Sequence, residues 1–197
     1  MSTFKISDIR NRAAAHPSVR NFSKSASAVL TEATASQKEV EKTYDIFLSH
    51  SFRDADLILG VKLKLEDHGH TVYVDWVEDP QLDRSKVSKV TAEKLRHRMN
   101  SCKCLCYATT PSSSESKWMP WECGYMDGKK NRVAILPLTE HGGSFVGQEY
   151  LGIYPYVDEA PPNGESENIL WVNESANYYC KFRPWLDGAN PTYHQNG

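Results

Sequence analysis

No stretch of this chain approaches the ~18 consecutive apolar residues that a membrane-crossing helix requires. The first twenty residues hold no continuous apolar run of the kind a secretory leader carries. A soluble protein of the cytoplasm is expected, with no membrane contact. Neither sign of charge is in excess: 23 basic residues face 25 acidic ones and the isoelectric point is near 6.4, so no general electrostatic case exists for nucleic acid as a partner. No internal repeat is present, which argues against solenoids and propellers. The five cysteines come without CxxC or HxxxH spacing, so no metal site is expected. Three of them, Cys102, Cys104 and Cys106, alternate; on a strand they would share one face, as buried thiols in a reducing compartment.

What is present supports one core-forming domain, since 40% of the 197 residues are apolar. Residues 1–41 are polar and Ala/Ser-rich, with a weak helical stripe of Phe4, Ile6, Ile9 and Ala13 and later Val29, Leu30 and Val40. They read as an N-terminal helical, partly mobile extension, and residues 42–197 as the domain with a C-terminal extension. A β-prone run over 44–49 precedes a helix-period segment over 55–65, which turns Leu57, Ile58, Val61 and Leu65 inward and stops at Gly69. A second strand is read over 71–74, a loop containing Pro80 over 75–85, a helix over 86–100 and a third strand over 102–109. The Ser-rich segment 112–116 feeds a helix with Pro120 in its first turn, running to about Asp127 with Gly128 as its stop. Strands follow over 133–137 and 153–157, then a turn over 161–164, a closing strand or turn over 170–172 and a last helix within 176–186. Strands alternating with helices imply a parallel sheet covered on both faces, with functional groups gathered at the carboxyl ends of the strands.

Three segments fall at such ends: SHSFRD over 49–54, DWVEDP over 75–80, and the Ser-rich turn leading to WMPWE over 118–122. In that order and spacing they resemble the TIR domain family over about residues 44–137, most closely its stand-alone bacterial members, including those of the antiphage Thoeris system. The resemblance implies a flavodoxin-like α/β three-layer sandwich. It further implies cleavage of NAD at the nicotinamide–ribose bond, with Glu122 in the place of the catalytic glutamate. Substrate binding is assigned to Ser49, Phe52, Arg53, Asp75, Trp76 and Trp118; NAD is the substrate and no cofactor is implied. Self-assembly through TIR contacts, with residues 76–86 contributing, and a downstream effector responding to the nucleotide product are the partners it suggests. The chain departs from animal signalling members in VEDPQLD over 77–83, which lacks their loop glycine.

The chemistry of the residue types is consistent with this. Nicotinamide in NAD is already a pyridinium and leaves without a proton donor, so one carboxylate that stabilises the developing oxocarbenium can suffice. The helix N-terminus favours the ionised form of Glu122, although charge compensation alone is what most first-turn glutamates do. The Arg53 guanidinium suits a diphosphate, but the same loop reads equally as a surface turn with Asp54 as a cap. His50 reads as a solvated or capping residue. Water, a group of the same nucleotide or an outside nucleophile could capture the cation, so hydrolase, cyclase and transferase remain open. A non-catalytic interaction module is the alternative. A phosphoacceptor receiver is excluded because Ser49-His50 and Thr109-Thr110 stand where acidic residues are needed.

Overall fold

The computed structural model describes residues 4–38, 43–51, 53–74, 88–110, 113–140 and 149–195. Among them the chain runs β1 (Phe4–Lys5), α1 (Ile6–Ala14), α2 (Pro17–Phe22), α3 (Ala26–Lys38), β2 (Tyr44–Ser49), α4 (Ala55–Asp67), β3 (Val72–Val74) and α5 (Lys89–Asn100). It continues through β4 (Cys102–Thr109), α6 (Met119–Lys130), β5 (Val133–Thr139), β6 (Tyr156–Ala160), β7 (Ile169–Asn173), β8 (Tyr178–Lys181), α7 (Phe182–Leu186) and β9 (Thr192–Tyr193). Short 3-10 turns occupy Ser113–Glu115 and Glu149–Ile153. The strands form one sheet in the order β3-β2-β4-β5-β6-β7-β8-β9, with β1 also paired to β5. The ladders from β3 to β6 are parallel, and those from β6 to β9 are antiparallel.

The flavodoxin-like α/β reading holds, and its cause is visible in burial. Every residue of β2 is buried, as expected of a parallel strand with helices on both faces. On one face Ile46, Leu48, Cys104 and Cys106 join a core with Leu57 and Ile58 of α4 and Trp185 of α7. On the other, Phe47, Tyr73, Leu105 and Tyr107 meet Leu95 and Met99 of α5 and Met119, Cys123 and Met126 of α6. Cys102, expected on the face of Cys104 and Cys106, is buried with this second cluster instead, at the strand's first residue, where the pleat is least constrained. All five cysteines are free thiols. No helix among the described residues is long and apolar enough to cross a membrane.

Three departures from the sequence reading have a physical cause in the residues concerned. Helix α6 passes through Gly128 and stops at Asn131, whose φ of 50° is the left-handed conformation that asparagine tolerates best after glycine. The strand read over 153–157 begins at Tyr156, because Pro155 has no N–H to give to a ladder; its carbonyl accepts from Ile135 N at 2.8 Å. Within the segment 176–186, read as a last helix, Phe182–Leu186 is helical and Tyr178–Lys181 forms strand β8. The sequence pattern overlooked that the aromatic Tyr178-Tyr179 pair favours a pleated partner, here Asn173 of β7. Gly69 does terminate α4, with φ of 77°, and Pro120 does sit in the first turn of α6.

Residues 4–38 lie against the sheet domain. Phe4 and Lys5 pair in parallel with Leu138 and Thr139, and Ile6, Ile9, Ala13, Val29 and Leu30 are buried in the core shared with α4. Arg12 grips Asp67 through two hydrogen bonds of 2.6 and 2.8 Å. Helix α1 packs so closely on α4 that a Cβ on Gly60 would overlap the Ile9 carbonyl oxygen and stand 2.7 Å from Ile9 Cγ2.

The opposite end of the sheet is fastened by Asp45. Its carboxylate accepts from Thr71 N at 3.1 Å, and it pairs with Lys103 at 3.0 Å and Arg183 at 3.3 Å, tying α7 to β2. Burial would raise this carboxyl, but the bonds from Thr71 and Lys103 outweigh it and hold Asp45 below its ordinary range. His70, edge-on to Phe182 with centroids 4.9 Å apart, is pushed down to about 4 by burial, reinforced by the Arg183 cation.

Two outcomes follow. Gly60→Ala is expected to cost about 1–3 kcal/mol through overpacking and to lower the thermal midpoint by roughly 2–12 °C for a chain of this size; an unchanged midpoint would mean that α1 is not held against α4. Because His70 stays neutral when folded but takes a proton near its ordinary value when unfolded, stability is complete above pH ~6.5 and declines towards pH ~4. The loss reaches roughly 3 kcal/mol. In denaturant titrations across this window His70→Gln should flatten the slope, and an unaltered slope would assign the acid sensitivity elsewhere.

Candidate active site

The carboxyl end of β2 carries a hydroxyl and the first turns of α6 carry a carboxylate, and the fold brings the two together. Ser49 Oγ donates to Glu122 Oε2 at 2.6 Å, and both residues are 1% exposed. That length belongs to the short class of hydroxyl–carboxylate bonds. The position of Glu122 follows from local sequence: Pro120 presets the first turn, and Glu122 N donates to Trp118 O at 2.8 Å, which closes it. The N-terminal dipole of α6 points at this carboxylate.

The polar content of this sheet end is high for a protein interior. Ser49, His50, Ser51, Thr110 and Glu122 are all buried there, after β2, after β4 and at the start of α6. The His50 ring lies 2.8 Å from the Leu48 carbonyl through Nδ1; because the carbonyl can only accept, the proton sits on Nδ1. The expectation of a solvated His50 is therefore corrected: the strand end turns the ring inward rather than to water. Thr110 Oγ1 is buried and has no hydrogen-bond partner among the described residues. Buried polar groups are normally satisfied, and such a hydroxyl at a strand end is suited to a ligand.

Of the other residues singled out in the sequence, Trp118 is 5% exposed and faces the core cluster, edge-on to Trp121 at 5.5 Å. Trp121 in turn stacks on Tyr125 with the Arg96 guanidinium 5.3 Å over its ring. Arg53 is exposed and pairs with Glu115, so the loops after β2 and β4 are tied across the strand ends. Exposed pairs contribute little energy, so this guanidinium can exchange its partner for a phosphate. Phe52, Asp75 and Trp76 lie outside the described residues.

Two tyrosines escaped the sequence reading. Tyr107 of β4 stands directly opposite Ser49 in the β2–β4 register and has Tyr150, which is exposed, beside its phenol. Burial, with Tyr150 beside it, lifts the Tyr107 phenol above its ordinary range. Neither was legible, because strand register and the return of the 149–153 turn over α6 are tertiary facts. Next to Glu122, the Cys123 thiol is pushed up to about 11 by burial, so it remains a neutral packing group rather than a nucleophile.

A mainly parallel α/β sandwich with a hydroxyl-bound carboxylate buried at its strand ends defines the class of protein, and the chain belongs to the TIR domain family, whose model matches residues 46–168. It is 54% identical over 147 residues, 74% of this chain and 76% of the relative, to a probable 3' cyclic ADP-D-ribose synthase, ThsB', of Bacillus cereus (strain MSX-D12). It is also 33% identical over 86 residues, 43% of this chain, to a putative cyclic ADP-D-ribose synthase, TIR2, of Cytobacillus dafuensis. The match covers 23% of that second protein.

Removing the hydroxyl tests the geometry by itself. Ser49→Ala takes a donor from a buried carboxylate and should lower unfolding stability by about 1–3 kcal/mol. Full stability in chemical denaturation would show that the bond carries no weight.

Proposed function

We propose that this chain cleaves NAD at the nicotinamide–ribose bond and closes the remaining nucleotide on itself, giving a cyclic ADP-ribose, with Glu122 as the catalytic carboxylate. The observation that carries the reading is the buried Ser49–Glu122 pair at the strand ends of a TIR fold. The C1′–N bond breaks with its electron pair passing to the pyridinium nitrogen, so nicotinamide departs neutral and the ribose carries the positive charge. A carboxylate in a water-poor setting stabilises that charge strongly, because little solvent screens it. A hydroxyl or ring nitrogen of the same nucleotide then bonds to C1′ and releases one proton.

Burial also bears on the product. Exclusion of water disfavours hydrolysis and leaves the tethered group of the same molecule at high effective concentration; the names of the two relatives agree with cyclisation. Ser49 holds the Glu122 carboxylate, Tyr107 and Tyr150 stand beside it, and Arg53 takes the diphosphate once released from Glu115. Phe52, Asp75, Trp76 and Trp118 complete the substrate contacts in this reading. The site works in an assembly of copies to which residues 76–86 contribute, and its product acts on a separate effector in antiphage defence.

The test is chromatography of NAD incubated with the full chain at high protein concentration, with infected-cell lysate as trigger. Wild type is expected to release nicotinamide with a cyclic co-product, and Glu122→Gln to lose at least 10²-fold in rate. A linear ADP-ribose co-product would make the enzyme a hydrolase. Equal turnover by Glu122→Gln would remove the carboxylate from the mechanism, and no turnover by either protein would favour an interaction module.

A further inference from the structure

Helix α4 ends at Asp67, and the two histidines that follow flank Gly69, whose left-handed backbone turns the chain towards β3. This turn brings His68 and His70 against the start of β7 and the junction of β8 with α7, where a cavity of about 230 Å³ lies between them. Asp45, 3.8 Å from His70 Nδ1, precedes Ser49 by four residues on β2, which is roughly 13 Å at the usual rise along a strand. The cavity is therefore at the other end of the sheet from Glu122.

Its buried lining is apolar and rigid. Leu170 and Phe182 are buried, and Phe182 is held between His70, edge-on at 4.9 Å, and Trp185 at 5.6 Å. One polar group stands in that lining: His70 is 6% exposed, and its Nδ1 makes no hydrogen bond, Asp45 being too far to bond it at 3.8 Å. Buried ring nitrogens are normally bonded. Because Asp45 does not hold the proton on Nδ1, the neutral ring can carry it on Nε2 as a donor. The exposed lining is cationic, with Lys181 and Arg183. The acids nearby are already matched: Asp45 pairs with Lys103 and Arg183, Asp187 with Lys103, and Glu159 with Lys64 and His68. Lys181 makes no ion pair among the described residues, so one positive charge is left over.

An occupant that satisfies this lining has a short apolar body and one negative group. Arg183 gives Nη1–H to Asp45 and Nη2–H to the Gly69 carbonyl at 2.9 Å, which fixes the guanidinium and leaves further N–H donors for a planar carboxylate. A phosphate carries oxygens on all sides and would set some of them against Leu170 and Phe182, where no donor meets them. The volume is below the ~300–1,000 Å³ of drug-sized ligands, so the body is small. We propose that this cavity binds a short-chain aliphatic monocarboxylate, its carboxylate on Lys181, Arg183 and His70 and its alkyl end against Leu170 and Phe182. The site is separate from the Glu122 centre and does not rest on the NAD-cleaving reading.

The test is titration of the full chain with isovalerate, followed by calorimetry and by the imidazole signals of His70 in NMR. Isoamyl alcohol, which has the same body without the charge, and inorganic phosphate serve as controls. Isovalerate is expected to bind one per chain with a Kd below about 1 mM and to shift the His70 signals, while the alcohol and phosphate bind at least tenfold more weakly. Lys181→Glu and His70→Phe should each weaken isovalerate at least tenfold, and Glu122→Gln should leave it unchanged. Thermal midpoints establish that the variants are folded, and Lys181→Glu, at an exposed position, decides the matter alone where His70→Phe is not. No isovalerate binding at millimolar concentration, unmoved His70 signals, affinity indifferent to Lys181→Glu, or equal or tighter binding of the alcohol or of phosphate would each overturn the proposal. None of these readouts depends on turnover of NAD.

Discussion

The hydrogen bond of 2.6 Å between Ser49 and Glu122 sets the terms for much of the molecule. A carboxylate that water scarcely reaches is costly unless donors and a favourable field surround it. The chain meets that requirement with a hydroxyl from the end of β2, the N-terminal dipole of α6 and a helix turn closed by Pro120 and Trp118. Each of these is supplied by an element whose own position is fixed by core packing: β2 is buried along its whole length, and Met119 and Cys123 anchor α6 on both sides of the carboxylate. Stability is thereby committed to holding a carboxylate in a poorly solvated place, where the low local dielectric strengthens its interaction with any charge nearby.

The rest of the architecture keeps those two elements in register. Helix α1, seated on Gly60 and bonded through Arg12 to Asp67, holds α4 down on the far face of the sheet from α6. At the amino ends of the strands, Asp45 gathers Thr71, Lys103 and Arg183 and thereby draws the last helix under β2. The two ends of the sheet thus differ in kind. At the amino ends the charged groups are paired with one another and serve cohesion. At the carboxyl ends buried polar groups converge where the parallel βα arrangement leaves a crevice, and Thr110 presents a buried hydroxyl without a protein partner among the described residues.

The antiparallel strands beyond β6 give the sheet a face with polar residues on it. Parallel strands require helices on both sides, whereas antiparallel ones tolerate a polar side. Placing β7 and β8 at this edge therefore allows Asp158, Asn173, Trp171 and Tyr179 to line a cleft while Val157 and Val172 still close the core. Tyr107 and Tyr150 lie between this extension and Glu122 in the order of the sheet, since Tyr107 sits on β4 beside Ser49 and Tyr150 begins the turn that leads into β6.

The sequence by itself determined the parallel α/β frame, the helix stop at Gly69 and the place of Glu122 in the first turns of its helix. These are local matters: hydrophobic period, turn chemistry and the order of short motifs are written along the chain. It misplaced the end of α6 and the start of β6 and missed the strand that precedes the last helix, because Asn131, Pro155 and the Tyr178-Tyr179 pair act through a backbone conformation or a strand partner that period alone does not weigh. Only the tertiary structure decided that Ser49 bonds Glu122, 73 positions away, that His50 turns inward, that Phe4 pairs with Leu138, and that Tyr107 stands opposite Ser49. Each of these depends on which strands are neighbours and in what register, and a shift of one residue would turn every one of those side chains to the other face of the sheet.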